Sequence, residues 1–425
     1  SRMPDGLGGG GLITNNGAAD SVLSLTRGAF SGTITDGATN AVAINKLLST
    51  GTLVLSGSNG YSGGTTLTAG VLQVESDQAL GGGGLRILGG TLHGGGGDRT
   101  LNNNLTLSGS ITFTGDGSLT FTGASNSSLT TLNLTLANTG TVNLFNGITL
   151  AGAFSLTNNS SGTAVIGGGL TAIPGSLTFN GSETVLIGCL STASATTTFT
   201  NNPPSAVRFN DFNFGGLVTL TGSTPFAFEG TFLNNAANRT LSIRTTGTTT
   251  FHDIKLSEAT TARTLTIWSI EGANLVIDGN IFSVNSNTSG LTLTGSPTEA
   301  PGGTINITGS SAITRTLVIG GNGRTYTVKS GATFPMTLNA FGGGSNTFGV
   351  ESGAAVGNMS FRLRASNSIV EMHGTMTNGT VSLTGGGSRF TVHTGGSMGN
   401  GAITLVDDNT FEIQSGATVG NGSVT

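Results

Sequence analysis

Four segments near the end of the chain decide the fold: GVESGAAVGN (349–358), EMHGTMTNG (371–379), VHTGGSMGNG (392–401) and IQSGATVGNG (413–422). Set one above another, they repeat about every 21 residues, and Gly353, Gly374, Gly395 and Gly416 are spaced by 21 each time. Apolar columns run beside the glycines. Phe348, Val370, Phe390 and Phe411 form one, and Val350, Met372, Val392 and Ile413 the next. Val356, Met376, Met398 and Val419 form a third. Phe361, Val381, Ile403 and Val424 form a fourth, beside Leu363, Leu383 and Leu405. Tyr326 and Val328, and before them Ile305 and Ile307, extend the first two columns backwards.

A period of this length, made of short alternating strands and glycine turns, implies an all-β fold: an elongated β-solenoid, or parallel β-helix, with ~21-residue coils. Its evidence is clearest over residues 326–425. Strands of successive coils would pair in parallel at about 4.8 Å, and residues two apart, such as Phe348 and Val350, would both point inward. One coil cannot bury its own inner face, so coils fold only against neighbours. A further column, Asn358, Asn378, Asn400 and Asn421, usually precedes glycine. It reads as a corner ladder, because Asn tolerates positive φ and stacked amides hydrogen-bond to one another.

Composition agrees. The 425 residues include 73 glycines, more than twice the usual share, and only 8% charged residues. Sixteen basic and 20 acidic residues leave a net charge of −4, which excludes the clustered basic footprint of a nucleic-acid binder. No apolar run is long enough to cross a bilayer as a helix. With three lysines and nine glutamates, strong helix formers are scarce, whereas Thr, Val, Ile and Phe recur in patterned order. The middle of the chain has the same texture with looser spacing, as in GSITFTGDGSLTFTG (109–123) and GSLTFNGSETVLIG (175–188). The chain therefore divides into an N-terminal strand or cap-like segment (1–45), an irregular solenoid (46–325) and the regular coils (326–425). In the first segment AVAINKLLS reads as a helical turn or a capping strand. The closing GNGSVT reads as an unfinished coil that continues past Thr425.

The stretch GTLVLSGSNGYSGGTTLTAGVLQVES (51–76) carries no acid before Glu75 and no histidine, lysine or cysteine. Its G-T-L-x-L-S-G run, its centre at Asn59, Tyr61, Ser62, Gly63, Gly64, Thr65 and Thr66, and its A-G-x-L-Q-V close resemble the autotransporter-associated β-strand repeat, also called the passenger-associated transport repeat. The resemblance covers Gly51 to about Gly81, with FSGTITDG (30–37) as its lead-in. It implies a secreted, surface-located bacterial β-helical protein, and repeats associated with export and passenger folding that carry no catalytic residue.

Chemistry is hard to place in this sequence. Solenoid hydrolases and lyases need carboxylates converging on one groove. Glu351, Glu371 and Glu412 read as different positions of the repeat, Asp407 and Asp408 as an exposed turn, and the remaining acids stand singly. His93, His252, His373 and His393 read as solvent-facing residues on turns. His373 and His393 are 20 apart, and a metal would need a third ligand, for which Glu371 is the nearest candidate. GGGGDRTLN (94–102) has Asp98 one place early for a calcium-binding nonapeptide and no second copy, so it reads as a glycine turn. Cys189, the only cysteine, lies in TVLIGCLST and reads as a buried, inert thiol.

The expectation is a non-enzymatic extracellular structural protein of the bacterial cell surface, belonging to a fibre or filament. No catalytic, cofactor or metal site is assigned. Self-association, end to end or lateral, and surface glycans are the expected partners. The alternatives are an adhesin stalk binding host or glycan surfaces and, from another class, a carbohydrate-active β-helix enzyme.

Overall fold

The computed structural model describes residues 6–202, 206–214, 216–234, 239–257, 263–269, 273–279, 281–283, 290–295, 304–307, 316–320, 323–334, 337–342, 345–364 and 366–425. Among them there is no helix, and every paired strand of the stack runs parallel to its partner one coil away. The protein is a β-solenoid. It forms two compact units, Ser1–Ala193 with Phe199–Arg208, and Ser194–Thr198 with Phe209–Thr425.

In the first unit the strands of successive coils form three stacks, the third without a strand between Leu55 and Thr65 or between Val74 and Leu85. One column runs Ile44, Thr65, Leu85, Leu105. A second runs Leu53, Leu72, Leu92, Phe113, Leu136. A third runs Phe121, Leu144, Ile166, Ile187. Their strands alternate buried and partly exposed positions, as in Val42–Lys46 and Thr52–Leu55, because successive side chains leave opposite faces of a strand. AVAINKLLS is thus a strand rather than a helical turn, in register with Ser21–Leu25 on one side and Thr65–Leu67 on the other. The β-branched Val42 and Ile44 suit the pleat, and both are buried.

The second unit stacks in the same way. Phe348, Val370, Phe390 and Phe411 are in register, as are Val328, Val350, Met372, Val392 and Ile413. Val356, Met376, Met398 and Val419 line up. So do Phe361, Val381 and Ile403, with a bridge on to Val424. These columns are buried until the last coil, where Ile413 and Val424 are 51% and 65% exposed and Phe411 is half-buried. Coil length is not constant: Leu265 pairs with Leu291, and Ile277 with Ile307. Earlier in the unit the core is aromatic. Phe209, Phe228 and Phe251 stack at centroid distances of 5.1 and 4.7 Å. Phe212 stacks on Phe232 at 5.0 Å and meets Phe228 edge-on. Each such pair adds about 1 kcal/mol to the area it buries.

The glycine column needs one correction. Gly353, Gly395 and Gly416 occupy the left-handed region with φ of 83°, 81° and 82°, where only glycine is unstrained. Gly374 does not. The turn after Met372 is shorter, Thr375 pairs with Ala355 and Ser397, and Gly374 therefore falls in the column of Ala354 and Gly396. A Cβ on Gly374 would lie 2.4 Å from the Ala354 carbonyl, so the position demands glycine for close approach rather than for φ. The even spacing of 21 came from compensating insertions.

Candidate functional site

The segment around Asn59 joins three coils through side chains. Asn59, 7% exposed, accepts the Ile34 N–H at 2.8 Å through Oδ1 and donates to the Ala79 carbonyl at 2.7 Å through Nδ2. Two residues on, Tyr61 is fully buried, its hydroxyl 2.5 Å from Thr65 Oγ1. Burial raises the phenol well above its ordinary value, so it stays protonated. Gly81 closes over the ring: a Cβ there would meet the Tyr61 carbonyl at 2.3 Å.

Two charged groups complete the arrangement. Asp36 accepts the Val42 N–H at 2.7 Å and the Ser62 N–H at 3.1 Å. Hydrogen bonds from Ser62 and Val42 hold its carboxyl below the usual range. Lys46, with no exposed surface, donates to the carbonyls of Leu47, Leu48 and Ala69 at 2.8, 3.1 and 3.2 Å. Desolvation lowers its ammonium pKa. Gly70 lets this cap form, since a Cβ there would sit 2.6 Å from Nζ. At the motif centre Asn59 thus ties its coil to the two neighbouring ones, while Tyr61 and Thr65 satisfy each other inside the stack.

The family profile described as Passenger-associated-transport-repeat matches residues 48–74. The chain carries a passenger-associated transport repeat. The repeat spans the strands Thr52–Leu55, Thr65–Leu67 and Val71–Val74, with Asn59 and Tyr61 between the first two. Over 104 residues the chain is 38% identical to the adhesin BmaC autotransporter of Brucella suis biovar 1 (strain 1330), a match that covers 23% of this chain and 3% of that relative. The chain spans a small fraction of that relative's length. No solved structure matches it.

A second constellation lies on the outer face of the regular coils. Residues 349 and 351, 371 and 373, 391 and 393, and 412 and 414 occupy equivalent places in four coils, because Val350, Met372, Val392 and Ile413 are in register. One outward column is therefore Gly349, Glu371, Thr391, Glu412, and the next is Glu351, His373, His393, Gln414. Glu371 and Glu412 share a column, contrary to the sequence reading: the slips of one residue hid an alignment that the hydrogen-bonded register restores. Lys329 Nζ meets Glu351 Oε1 at 2.7 Å, and Lys329 with the Ser330 N–H keeps that carboxyl below its ordinary range. The rings of His373 and His393 stack at 3.8 Å. His393 Nε2 bonds Glu371 Oε2, His393 Nδ1 lies 3.0 Å from Gln414 Oε1, and Arg389 Nη2 reaches Glu371 Oε1 at 3.3 Å.

The other singled-out residues fall elsewhere. His93 and His252 lie on strands rather than turns, each pointing outward beside one aspartate, Asp116 and Asp278. Asp98 accepts the Ser118 N–H at 2.7 Å and Asp408 the Gly387 N–H at 2.8 Å, so both brace turns of the next or previous coil. Cys189 is exposed, not buried. Alternation from Val185 and Ile187 would point it inward, but the next buried position is Leu190, so the phase changes after Ile187, beside Gly188, where a Cβ would lie 1.8 Å from the Gly167 carbonyl.

The four asparagines Asn358, Asn378, Asn400 and Asn421 are exposed, and Asn378 Oδ1 accepts the Asn400 backbone N–H at 3.0 Å. None has positive φ. A buried ladder that the sequence reading missed runs at another corner. The N–H of Arg324 donates to Asn346 Oδ1 (3.0 Å), that of Asn346 to Ser368 Oγ (3.4 Å), that of Ser368 to Ser388 Oγ (3.2 Å) and that of Ser388 to Asn409 Oδ1 (2.8 Å). Each rung satisfies a buried N–H just before a strand starts, where the ladder of the sheet does not yet reach. Its signal in the sequence is an Asn or Ser immediately before each strand of the first apolar column.

Proposed function

We propose that this chain is part of an adhesin-like passenger displayed on a bacterial cell surface, and that its solenoid is a passive scaffold for presentation rather than a catalyst. The observation that supports this most is the construction of the repeat. Asn59, Asp36 and Lys46 each bond to another coil, and Tyr61 and Thr65 bond to each other inside their own coil, as expected of a segment whose task is to make a stack that folds and holds. The likeness to a stretch of a bacterial adhesin autotransporter points the same way. The outward faces offer Thr, Ser and Asn hydroxyls and amides at high density, a surface able to hydrogen-bond sugars.

The test pairs two measurements on the purified chain. Sedimentation over a wide concentration range reports its assembly state, and a glycan array with immobilised cell-surface material reports binding. A monomer that binds saturably agrees with the adhesin reading. Concentration-dependent end-to-end assembly without surface binding would replace it with a self-associating fibre.

A further inference from the structure

The register brings together three metal-ligating side chains that the sequence holds 22 residues apart. Glu371 and His373 flank the inward Met372, and His393 follows the inward Val392. Pairing of Met372 with Val392 sets His393 against His373 at one coil spacing. Ligand atoms of Glu371, His373 and His393 all lie within 4.8 Å of one another. We propose that these three side chains bind a divalent first-row transition ion of the Zn2+ type.

Two imidazole nitrogens and one carboxylate oxygen are a donor set for zinc, cobalt, nickel or copper rather than for calcium or magnesium, which take oxygen ligands. Three protein ligands leave a fourth position for water. The supporting contacts are already in place. Gln414 Oε1 accepts from His393 Nδ1, which fixes the tautomer that presents Nε2 to an ion. Arg389 holds Glu371 Oε1 and leaves Oε2 facing His393. An ion here would replace the direct contact between His393 Nε2 and Glu371 Oε2, and the stacked rings would turn so that their nitrogens converge.

An independent observation points to a ligand at the same place. Thr391 is opposite Glu371 in register and two residues before His393, on the outward face, yet it is only 2% exposed. Its Oγ1 is buried with no hydrogen-bond partner among the described residues. Such a group normally finds one, and a water on the fourth position of the ion would supply it. The opposing charge is Arg389; Glu412 lies two coils on in the column of Glu371, with Thr391 between them.

The experiment is a titration of the whole chain with Co2+ alone, followed by its visible ligand-field absorption, with Ca2+ and Mg2+ as competitors. The expected result is one Co2+ per chain with a tetrahedral or five-coordinate spectrum, displaced by Zn2+ and untouched by Ca2+ or Mg2+. His373→Ala and His393→Ala should each abolish it. Gln414→Ala should weaken it about tenfold, and His252→Ala should leave it unchanged. Circular-dichroism melts of each variant separate lost binding from lost fold. No Co2+ spectrum at millimolar metal, or a spectrum that survives in folded His373→Ala and His393→Ala, overturns the proposal.

Discussion

The coils around the repeat and the regular coils after Arg324 bury the same kind of apolar column, but they secure their corners differently. Around the repeat the fastenings are single and long-reaching: Asn59 ties Ile34 to Ala79, and Lys46 gathers three carbonyls. In the regular coils one small fastening is copied at every turn, the Asn and Ser ladder from Asn346 to Asn409. The difference teaches what each device can bear. A copied rung can be lost at one coil with neighbours intact, whereas a unique clamp has no substitute.

The comparison can be strained at four points. The largest effect is expected from Val392→Asp, which places an unpaired charge in a dry column; stability measured in urea should fall by about 4 kcal/mol. Phe411→Asp, in the half-buried last coil, should cost much less, and equal losses would mean that the last coil is as dry as the one before it. Next, Asn59→Ala strands a buried N–H and a buried carbonyl in two other coils and should cost about 3 kcal/mol. Amide exchange should then quicken at Ile34 and in the strands flanking the repeat. Third, Ser368→Ala removes one rung and leaves one buried N–H, for about 1 kcal/mol, with faster exchange confined to Ser368's own coil and the one before it. A loss as large as that of Asn59→Ala would erase the distinction between clamp and ladder.

The smallest effect is expected from acid. Asp36 beside the repeat and Glu351 in the regular coils both have carboxyl pKa values lowered in the fold, by Ser62 and Val42 in one case and by Lys329 and Ser330 in the other. Because the unfolded chain binds these protons first, their stabilisation is complete above the ordinary carboxylate values of 3.8 and 4.5. It is lost as pH falls from there through the lowered folded values. Asp36→Asn and Glu351→Gln should each flatten the acid limb of the urea midpoint against pH, by lowering the neutral plateau slightly toward an unchanged acid value.

How much of this was legible depended on what carried the signal. Phe348, Val370, Phe390 and Phe411 could be stacked from the sequence because apolar side chains two apart recur once per coil. The motif at Asn59 and Tyr61 could be matched to a family, though nothing in its letters said that Asn59 bridges three coils. Cys189 was misread because alternation carries no record of a change of phase, and after Ile187 the next buried position is Leu190. Glu371 and Glu412 were separated because counting by 21 drifts wherever a turn gains or loses a residue. Lys46 gave no sign of burial, since a lysine's cost inside is offset only by carbonyls of Leu47, Leu48 and Ala69 that the fold itself brings to its ammonium.

The sequence by itself determined that this protein is β throughout and built in coils. Period-two alternation within a period near 21 has one economical burial, stacked parallel strands with like side chains on like. Tertiary structure alone decided which outward residues meet. Register between coils is set by backbone hydrogen bonds and by turns of variable length, so the approach of Glu371, His373 and His393 is a property of the stack rather than of any one coil.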